Sequence, residues 1–405
     1  MVKEDSNNQI LVEKVALFGV GSSSWQGGIQ YVINFIAGLN FIAQKQDSNI
    51  HVLIVKSCEQ NFDGLDEFSF LDIEFVDIEN GIPKARLIKK IYNFVKFKLL
   101  NLNYSPRLIE FLKSQKVDFV FPASLPISTG LNSAGWVADF QHRNFPNVID
   151  EGFTKKAEKW IFDELKYSSK VVLSSKYCQN DCERFFPQYL HKTVVMPFAV
   201  YLKKSLFNVD SLKRTIDKYK INQPFFIISN LFAVTKNHKI VFDALGILKK
   251  AGLVFDLYCT GNIVDERDIG FANEILKYIS LNDINGEVHL LGLIPREDQI
   301  SLYRLSLAMI QPSMSEGWST CVEEAKHLGK DMLLSNIDVH REQWPTNPWF
   351  FNPNDSLELS IKMEQLFYLN HKKEFPDLER ENSAINNYND NFIAFSNAIQ
   401  KVISF

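Results

Sequence analysis

The chain repeats one alternation along most of its 405 residues: a short, unbroken apolar run, then a longer segment of helical periodicity. In the first half the runs are KVALFGV (14–20), HVLIVKS (51–57), DIEFVDI (72–78), VDFVFPA (117–123), GWVADF (135–140), KVVLSS (170–175) and TVVMPF (193–198). In the second half they are FFIISN (225–230), FDLYCTG (255–261), EVHLLGL (287–293), LAMIQPS (307–313), DMLLSNI (331–337) and WFFNP (349–353). A strand with one wet face alternates apolar and polar residues. A strand buried on both faces does not, and such strands belong to parallel sheets covered by helices. Strand–helix order repeated on this scale predicts a doubly wound α/β fold.

The pattern breaks once, at YLKKSLFNVDSLKRTIDKYKINQP (201–224), which is polar, helix-prone and closed by Pro224; it then starts again. Two Rossmann-like domains are therefore expected, 1–203 and 204–385. The final segment carries Phe392, Phe395, Ile399 and Val402 at helical spacing with no strand after it. Residues 386–405 are expected to form an amphipathic helix packing back on the N-terminal domain. The 33 phenylalanines fall mostly inside these strand and helix patterns and read as core.

Composition removes several classes. A net charge of −4 gives no general attraction to nucleic acid. Five cysteines without paired short spacings form neither a disulfide framework nor a zinc ribbon, so reduced, structural thiols are expected. No uncharged apolar run reaches the ~18 residues of a membrane span, and MVKEDSNNQI has no apolar leader core. The expectation is a soluble cytoplasmic protein.

The chemistry concentrates in SEGWSTCVEEAKHLGKDMLLSNI (315–337). LAMIQPS reads as a strand, SEGWST as a turn of small polar residues, and CVEEAKHLG as a helix ended near Gly329. Glu316 then lies in the loop at the strand's carboxyl end, where ligands of open α/β sheets bind. The N–H groups from Gly317 through Trp318, Ser319 and Thr320 to Cys321 would face the same crevice and suit a diphosphate. Glu324, early in the helix, can accept hydrogen bonds from vicinal ribose hydroxyls, while Glu323 is expected to face solvent. Acids in a first helical turn also simply complement the helix dipole, so charge alone does not decide.

EGWSTCVEEAKHLGKDMLLSNIDVHREQ resembles the E-x7-E region of glycosyltransferase family 4, retaining enzymes of the GT-B fold. The likeness implies two Rossmann-like domains facing across a cleft, and transfer of a sugar from a nucleotide diphosphate sugar to a hydroxyl acceptor. In the family the first Glu contacts the transferred sugar and the second holds the ribose, roles that fall here on Glu316 and Glu324. No metal and no cofactor beyond the donor are implied.

Other segments fit the resemblance to different degrees. GVGSSSWQGGIQ (19–30) fails the dinucleotide fingerprint, because Ser24 stands where a third glycine belongs and no acid occurs between Glu13 and Asp47. Gly27 and Gly28 nevertheless let backbone approach a ligand at a helix start, as the Gly-Gly loop of the family does at the diphosphate. In SNLFAVTKNHKIVFDAL (229–245), Lys236 follows a strand and precedes a helix, placed to meet phosphate as a point charge. The family's usual Arg about five residues earlier is missing, the stretch reading Asn230, Leu231. His142, in GWVADFQHRNFP (135–146), matches a family position contacting sugar or acceptor. Gly292, Leu293 and Ile294 match the segment whose backbone reads the nucleobase, with apolar side chains expected in the core.

Residues 82–107 are rich in Lys and Arg and contain no acid, with Ile88, Ile91, Val95 and Leu99 on one helical face. A basic amphipathic helix over 84–102 would suit peripheral contact with an anionic membrane, and hence a lipid-linked glycan acceptor; a solvated surface helix is the plainer reading. Three competing functions stand beside glycosyl transfer. A metal-dependent GT-A enzyme would need a D-x-D-like cluster, which Asp72-Ile73-Glu74 and Asp77-Ile78-Glu79 imitate within one strand. A GT-B nucleotide-sugar epimerase would bind donor without acceptor. A non-catalytic glycosyltransferase-like subunit would keep the fold alone.

Overall fold

The computed structural model describes residues 12–21, 26–57, 60–78, 106–123, 125–146, 149–263, 270–370 and 375–404. The chain divides into two compact units: Met1–Asp139 with Ala157–Ala199 and Phe392–Phe405, and Phe140–Lys156 with Val200–Asn391. Each is built on one parallel sheet, and each of the thirteen apolar runs overlaps a strand, GWVADF (135–140) by only its first three residues.

In the first unit the strands are β1 (Lys14–Phe18), β2 (Ile50–Lys56), β3 (Leu71–Asp77), β4 (Phe119–Phe121), β5 (Asn132–Val137), β6 (Lys170–Leu173) and β7 (Thr193–Val195). Their order is β3-β2-β1-β4-β5-β6-β7. The register sets Val15 of β1 beside Val52 on one side and Phe119 on the other. Val15, Ala16, Val52, Leu53, Phe119 and Val120 are all fully buried, so these central strands are covered on both faces. Edge strand β3 behaves differently: only Val76 is buried along it, and Asp72 and Glu74 reach His51 of β2 at 2.8 and 3.4 Å. The acids that imitate a D-x-D cluster thus pair with a neighbouring strand's histidine. Asp77-Ile78-Glu79 runs out of the described residues at Glu79.

The helix Gln26–Lys45 covers this sheet with Tyr31, Val32, Phe35, Ile36 and Leu39. Tyr31 stacks on Trp136 of β5, ring centroids 4.1 Å apart. The end of the last helix, Leu378–Ile403, buries Phe395, Ile399 and Val402 in the same unit. Gly38 gives it room, since a Cβ there would lie 2.4 Å from Ile399 Cδ1.

In the second unit β8 (Phe225–Ser229), β9 (Asp256–Thr260), β10 (Val288–Gly292), β11 (Ala308–Gln311), β12 (Met332–Ser335) and β13 (Phe350–Phe351) order as β10-β9-β8-β11-β12-β13. Phe226, Ile228, Phe242, Leu257, Ile310 and Leu333 form the heart of its core. The stretch expected as a lead-in helix is one, Val209–Tyr219. Asn208 caps it by accepting the Asp210 N–H at 2.9 Å, and Lys220 ends it in the left-handed conformation. Strand order reverses between β8 and β11, so the chain leaves these neighbours in opposite directions and opens a crevice at their carboxyl ends.

The basic segment 84–102 lies outside the described residues; among those described, no helix is long and apolar enough to cross a membrane. Two expectations are overturned. Glu323 is 1% exposed rather than solvent-facing. Leu293 is 55% exposed rather than in the core, because Gly292 turns the chain at φ +65° and carries it off the sheet edge. Among the described residues, Phe75 and Phe162 are the exposed exceptions among the phenylalanines.

At Gly28 of the first unit an added side chain would run into backbone rather than into a side chain. A Cβ would meet Gly21 Cα and N at 2.7 Å, and these are backbone atoms that cannot swing aside. Gly28→Ala is expected to destabilise by about 2 kcal/mol, as overpacking does, read as a fall in melting temperature. Gly27, exposed in the same helix turn, is expected to accept Ala with no loss.

Candidate functional site

β8 ends at Ser229 and β11 at Gln311, adjacent strands at the point where the order reverses. A tight turn, Val234–Lys236, follows β8; the loop 312–319 and the helix Thr320–His327 follow β11. The Met314 N–H bonds Thr235 O at 2.8 Å and ties the two exits together. This brings Lys236, 80 residues away in sequence, onto Glu316: its Nζ donates to Glu316 Oε1 at 2.5 Å.

Glu316 is 9% exposed and takes a second bond at the same oxygen from Gln311 Nε2, at 2.8 Å. Burial alone would raise its pKa. The charge and hydrogen bond of Lys236, with smaller help from His340 and Ser313, instead hold it below the ordinary carboxylate value. Gln311 is fully buried; its Oε1 accepts from Asn230 Nδ2 at 2.8 Å, and its Nε2 also lies 3.1 Å from Ser319 Oγ. Asn230, near where an arginine was missed, therefore braces Gln311. The space around it is closed: a Cβ at Gly261 would sit 2.2 Å from Asn230 O.

Glu324 lies eight residues beyond Glu316 and is 1% exposed. Arg296, first residue of the helix Arg296–Leu305, donates to its Oε1. Among the described residues, Glu324 Oε2 has no partner. A buried carboxylate oxygen with no donor is costly, and it marks where a ligand hydroxyl would be accepted. Arg296 also donates to Gln299 at 2.7 Å; Gln299 reaches Ser229 Oγ at 2.5 Å and Tyr303 OH at 2.8 Å.

The helix start carries the expected amides in part. Ser319 N–H is spent on Gln343 Oε1 at 3.1 Å. The N–H groups of Gly317, Thr320 and Cys321 take no acceptor among the described residues. Cys321 Sγ donates to Ser229 O at 2.9 Å, and burial pushes its thiol up to about 12, so it is no nucleophile at neutral pH. Cys178, Cys182 and Cys259 are buried free thiols.

The remaining expected residues are distributed as follows. His142 is 2% exposed in the short helix Gln141–Asn144, whose Gln141 approaches Thr235 Oγ1 at 3.4 Å. Gly292 O accepts the Gly261 N–H at 2.9 Å, and Leu293 and Ile294 follow it towards Arg296. Gly27 and Gly28 belong to the first unit. Reading the sequence missed Gln311, Arg296, Gln343 and His340. The first carried a signal, a lone amide closing an otherwise apolar strand; the others carried none.

His340 is fully buried. Ser335 Oγ donates to Ser313 O at 2.6 Å, so His340 Nδ1–H is left to bond Ser335 O at 2.9 Å. Burial lowers its pKa to about 4, leaving a neutral ring whose Nε2 has no partner among the described residues.

Residues 212–382 match the family model described as glycosyl transferases group 1. No curated protein matches the chain. Solved structures with the same fold include a glycosyltransferase from Rickettsia africae ESF-5, at 18% identity and TM-score 0.65, covering 96% of each chain. Anabaena HepE in complex with UDP-glucose matches at 14% and 0.63, covering 96% of this chain and 98% of that one. Sucrose-phosphate synthase from Thermosynechococcus elongatus matches at 13% and 0.61, covering 96% of both.

Lys236 and Glu316 give the site a measurable pH signature. Because the Glu316 pKa is depressed in the folded protein, its contribution to stability is full above the unfolded carboxylate value and lost as pH falls through the folded one. Lys236→Met removes the largest influence that offsets burial at Glu316, which raises that pKa. The variant is expected to lose about 3 kcal/mol at pH 7.5, with the deficit shrinking towards pH 4. Denaturant melts of both proteins across that range check it; a deficit independent of pH would refute the pairing. With its site at the reversal of the second sheet, this chain has the two-unit architecture of GT-B glycosyltransferases and matches glycosyl transferases group 1 over residues 212–382.

Proposed function

We propose that the protein is a retaining, metal-independent glycosyltransferase of the family 4 type, moving a sugar from a nucleotide diphosphate sugar to a hydroxyl acceptor. The observation that carries this reading is the unpartnered, buried Oε2 of Glu324, eight residues beyond a Glu316 that Lys236 holds ionised. Vicinal ribose hydroxyls are donors that suit Glu324. The N–H groups of Gly317, Thr320 and Cys321 and the two remaining protons of Lys236 suit the phosphates. Backbone at Gly292, Leu293 and Ile294 borders the base. Gly27 and Gly28 of the first unit are assigned to the diphosphate, and His142 to the sugar or acceptor.

The chemical demand is to stabilise a departing nucleoside diphosphate. Preorganised donors in a water-poor site are the largest contributor to such steps. Glu316, held as a carboxylate, accepts a sugar hydroxyl and places negative charge near the oxocarbenium-like centre. Front-face retention needs no protein nucleophile, and none is assigned. The acceptor class is a glycan or lipid-linked glycan, with 84–102 proposed to touch an anionic membrane surface from the cytoplasmic side.

A thermal-shift screen against UDP-, GDP-, ADP- and dTDP-sugars in EDTA tests the reading, UDP-sugars first because HepE was solved with UDP-glucose. One donor at a hundred times its Kd is expected to stabilise by about 2.7 kcal/mol. Glu324→Ala is expected to weaken that donor at least about tenfold, the loss of a good polar contact to the ribose. No shift with any donor would sink the proposal; a shift only after adding Mg²⁺ or Mn²⁺ would sink its metal independence.

A further inference from the structure

We infer that Gln343 is a positioning residue for the diphosphate end of the donor, fixing the loop before helix Thr320–His327 through a buried relay that starts at Tyr388. The inference rests on the donor-binding reading above and adds residues to which that reading gives no role.

Ser319 stands between Glu316 and Glu324, and every polar group it has is engaged. Its N–H donates to Gln343 Oε1 at 3.1 Å, and its carbonyl accepts from Gln343 Nε2 at 2.7 Å. That carbonyl also takes the Glu323 N–H at 3.3 Å, and its Oγ accepts from Gln311 Nε2 at 3.1 Å. The Gln343 amide, 3% exposed at the end of helix Asp338–Gln343, thus grips Ser319 through the peptide groups on both sides of its Cα.

An amide can be turned over, exchanging donor and acceptor. Here the second Nε2 proton goes to Glu323 Oε1 at 2.9 Å, and a carboxylate accepts only from a donor. Glu323 therefore selects the orientation of Gln343. Glu323 is held in turn: Lys326 donates to its two oxygens at 3.1 and 3.3 Å, and Tyr388 OH donates to Oε2 at 2.7 Å. Tyr388, 4% exposed in the last helix, accepts the Val200 N–H at 2.7 Å, which leaves its own proton for Glu323. The relay runs Tyr388, Glu323, Gln343, Ser319, with each bond's direction dictated by the one before.

With the Ser319 peptide fixed, the neighbouring N–H groups of Gly317, Thr320 and Cys321 hold a set spacing. Those donors serve phosphate. The ribose and base ends use Glu324 and the Gly292–Ile294 backbone, which the relay does not touch. The relay therefore matters for the diphosphate and not for the nucleoside.

The test is calorimetric titration of the full chain with a nucleoside diphosphate, chosen from UDP, GDP, ADP and dTDP by wild-type binding, and with the matching nucleoside. Gln343→Glu keeps the shape but sets a carboxylate against Glu323 and the Ser319 carbonyl. It is expected to raise Kd for the diphosphate about tenfold, the scale of a mispositioned contact, and to leave the nucleoside within about twofold. Tyr388→Phe removes one proton from the relay and is expected to give a smaller loss of the same selectivity. It decides the matter if Gln343→Glu does not fold. Equal weakening of diphosphate and nucleoside, or unchanged diphosphate affinity in folded variants, would overturn the relay. A wild-type protein that binds no diphosphate better than its nucleoside would instead overturn the donor reading, and this inference with it.

Discussion

A carboxylate taken out of water has to be matched by charge and hydrogen bonds, and Glu316 shows what that demand organises. Its two strongest partners come from different places: Lys236 from the turn after β8, and Gln311 from the last position of β11. Satisfying one buried acid therefore joins the exits of two neighbouring strands whose chains diverge. Asn230 behind Gln311, and Gly261 packed on Asn230 O, extend the same demand back into the sheet. Gly261, at φ +121°, could not carry a side chain there, so the backbone itself forms the wall of the network.

Three acids within nine residues show how little a residue's type says about its role. Glu316, Glu323 and Glu324 are all buried. Glu316 is saturated at one oxygen by a cation and an amide. Glu323 takes four hydrogen bonds from three residues, two from Lys326 and one each from Gln343 and Tyr388, and has no oxygen to spare. Glu324 has Arg296 on one oxygen and, among the described residues, nothing on the other. Of the three, only Glu324 has a buried oxygen with no partner among the described residues, and such an atom calls for a ligand donor. The middle acid, adjacent in sequence to the last, is wholly committed to holding the protein together.

Strands were legible from the sequence because two-sided burial leaves a direct trace. FFIIS and AMIQ carry no polar residue until their ends, and that gave both the parallel sheets and the restart after residue 201. The E-x7-E pair was legible because its two acids flank a small-residue turn. What could not be read was which acid faces inward. Helical spacing places Glu323 and Glu324 100° apart, and whether the first meets water depends on the last helix bringing Tyr388 to it from 65 residues away. Gln343 and Arg296 are hidden for the same reason, since their partners are distant and their residue types are ordinary on a surface. Leu293 was misjudged because a β-bulge between Leu290 and Gly292 ends the regular pairing before it.

The formal charges around the crevice constrain how an anion would be held there. Lys236 and Arg296 are each paired with a carboxylate, Glu316 and Glu324, and the low pKa of His340 keeps its ring neutral. These groups sum to no net positive charge, and the arginine that could have added one is absent near Asn230. A diphosphate would therefore gain little from simple charge excess and would depend on oriented dipoles, chiefly the amides at the start of helix Thr320–His327. Dipoles are more sensitive to direction than a flexible lysine ammonium is, because their favourable interaction vanishes when the peptide rotates. A site built this way needs its loop held rigidly. That need gives a physical reason for a fully buried Gln–Glu–Tyr relay behind Ser319, where a site rich in cations could have left the same loop loose.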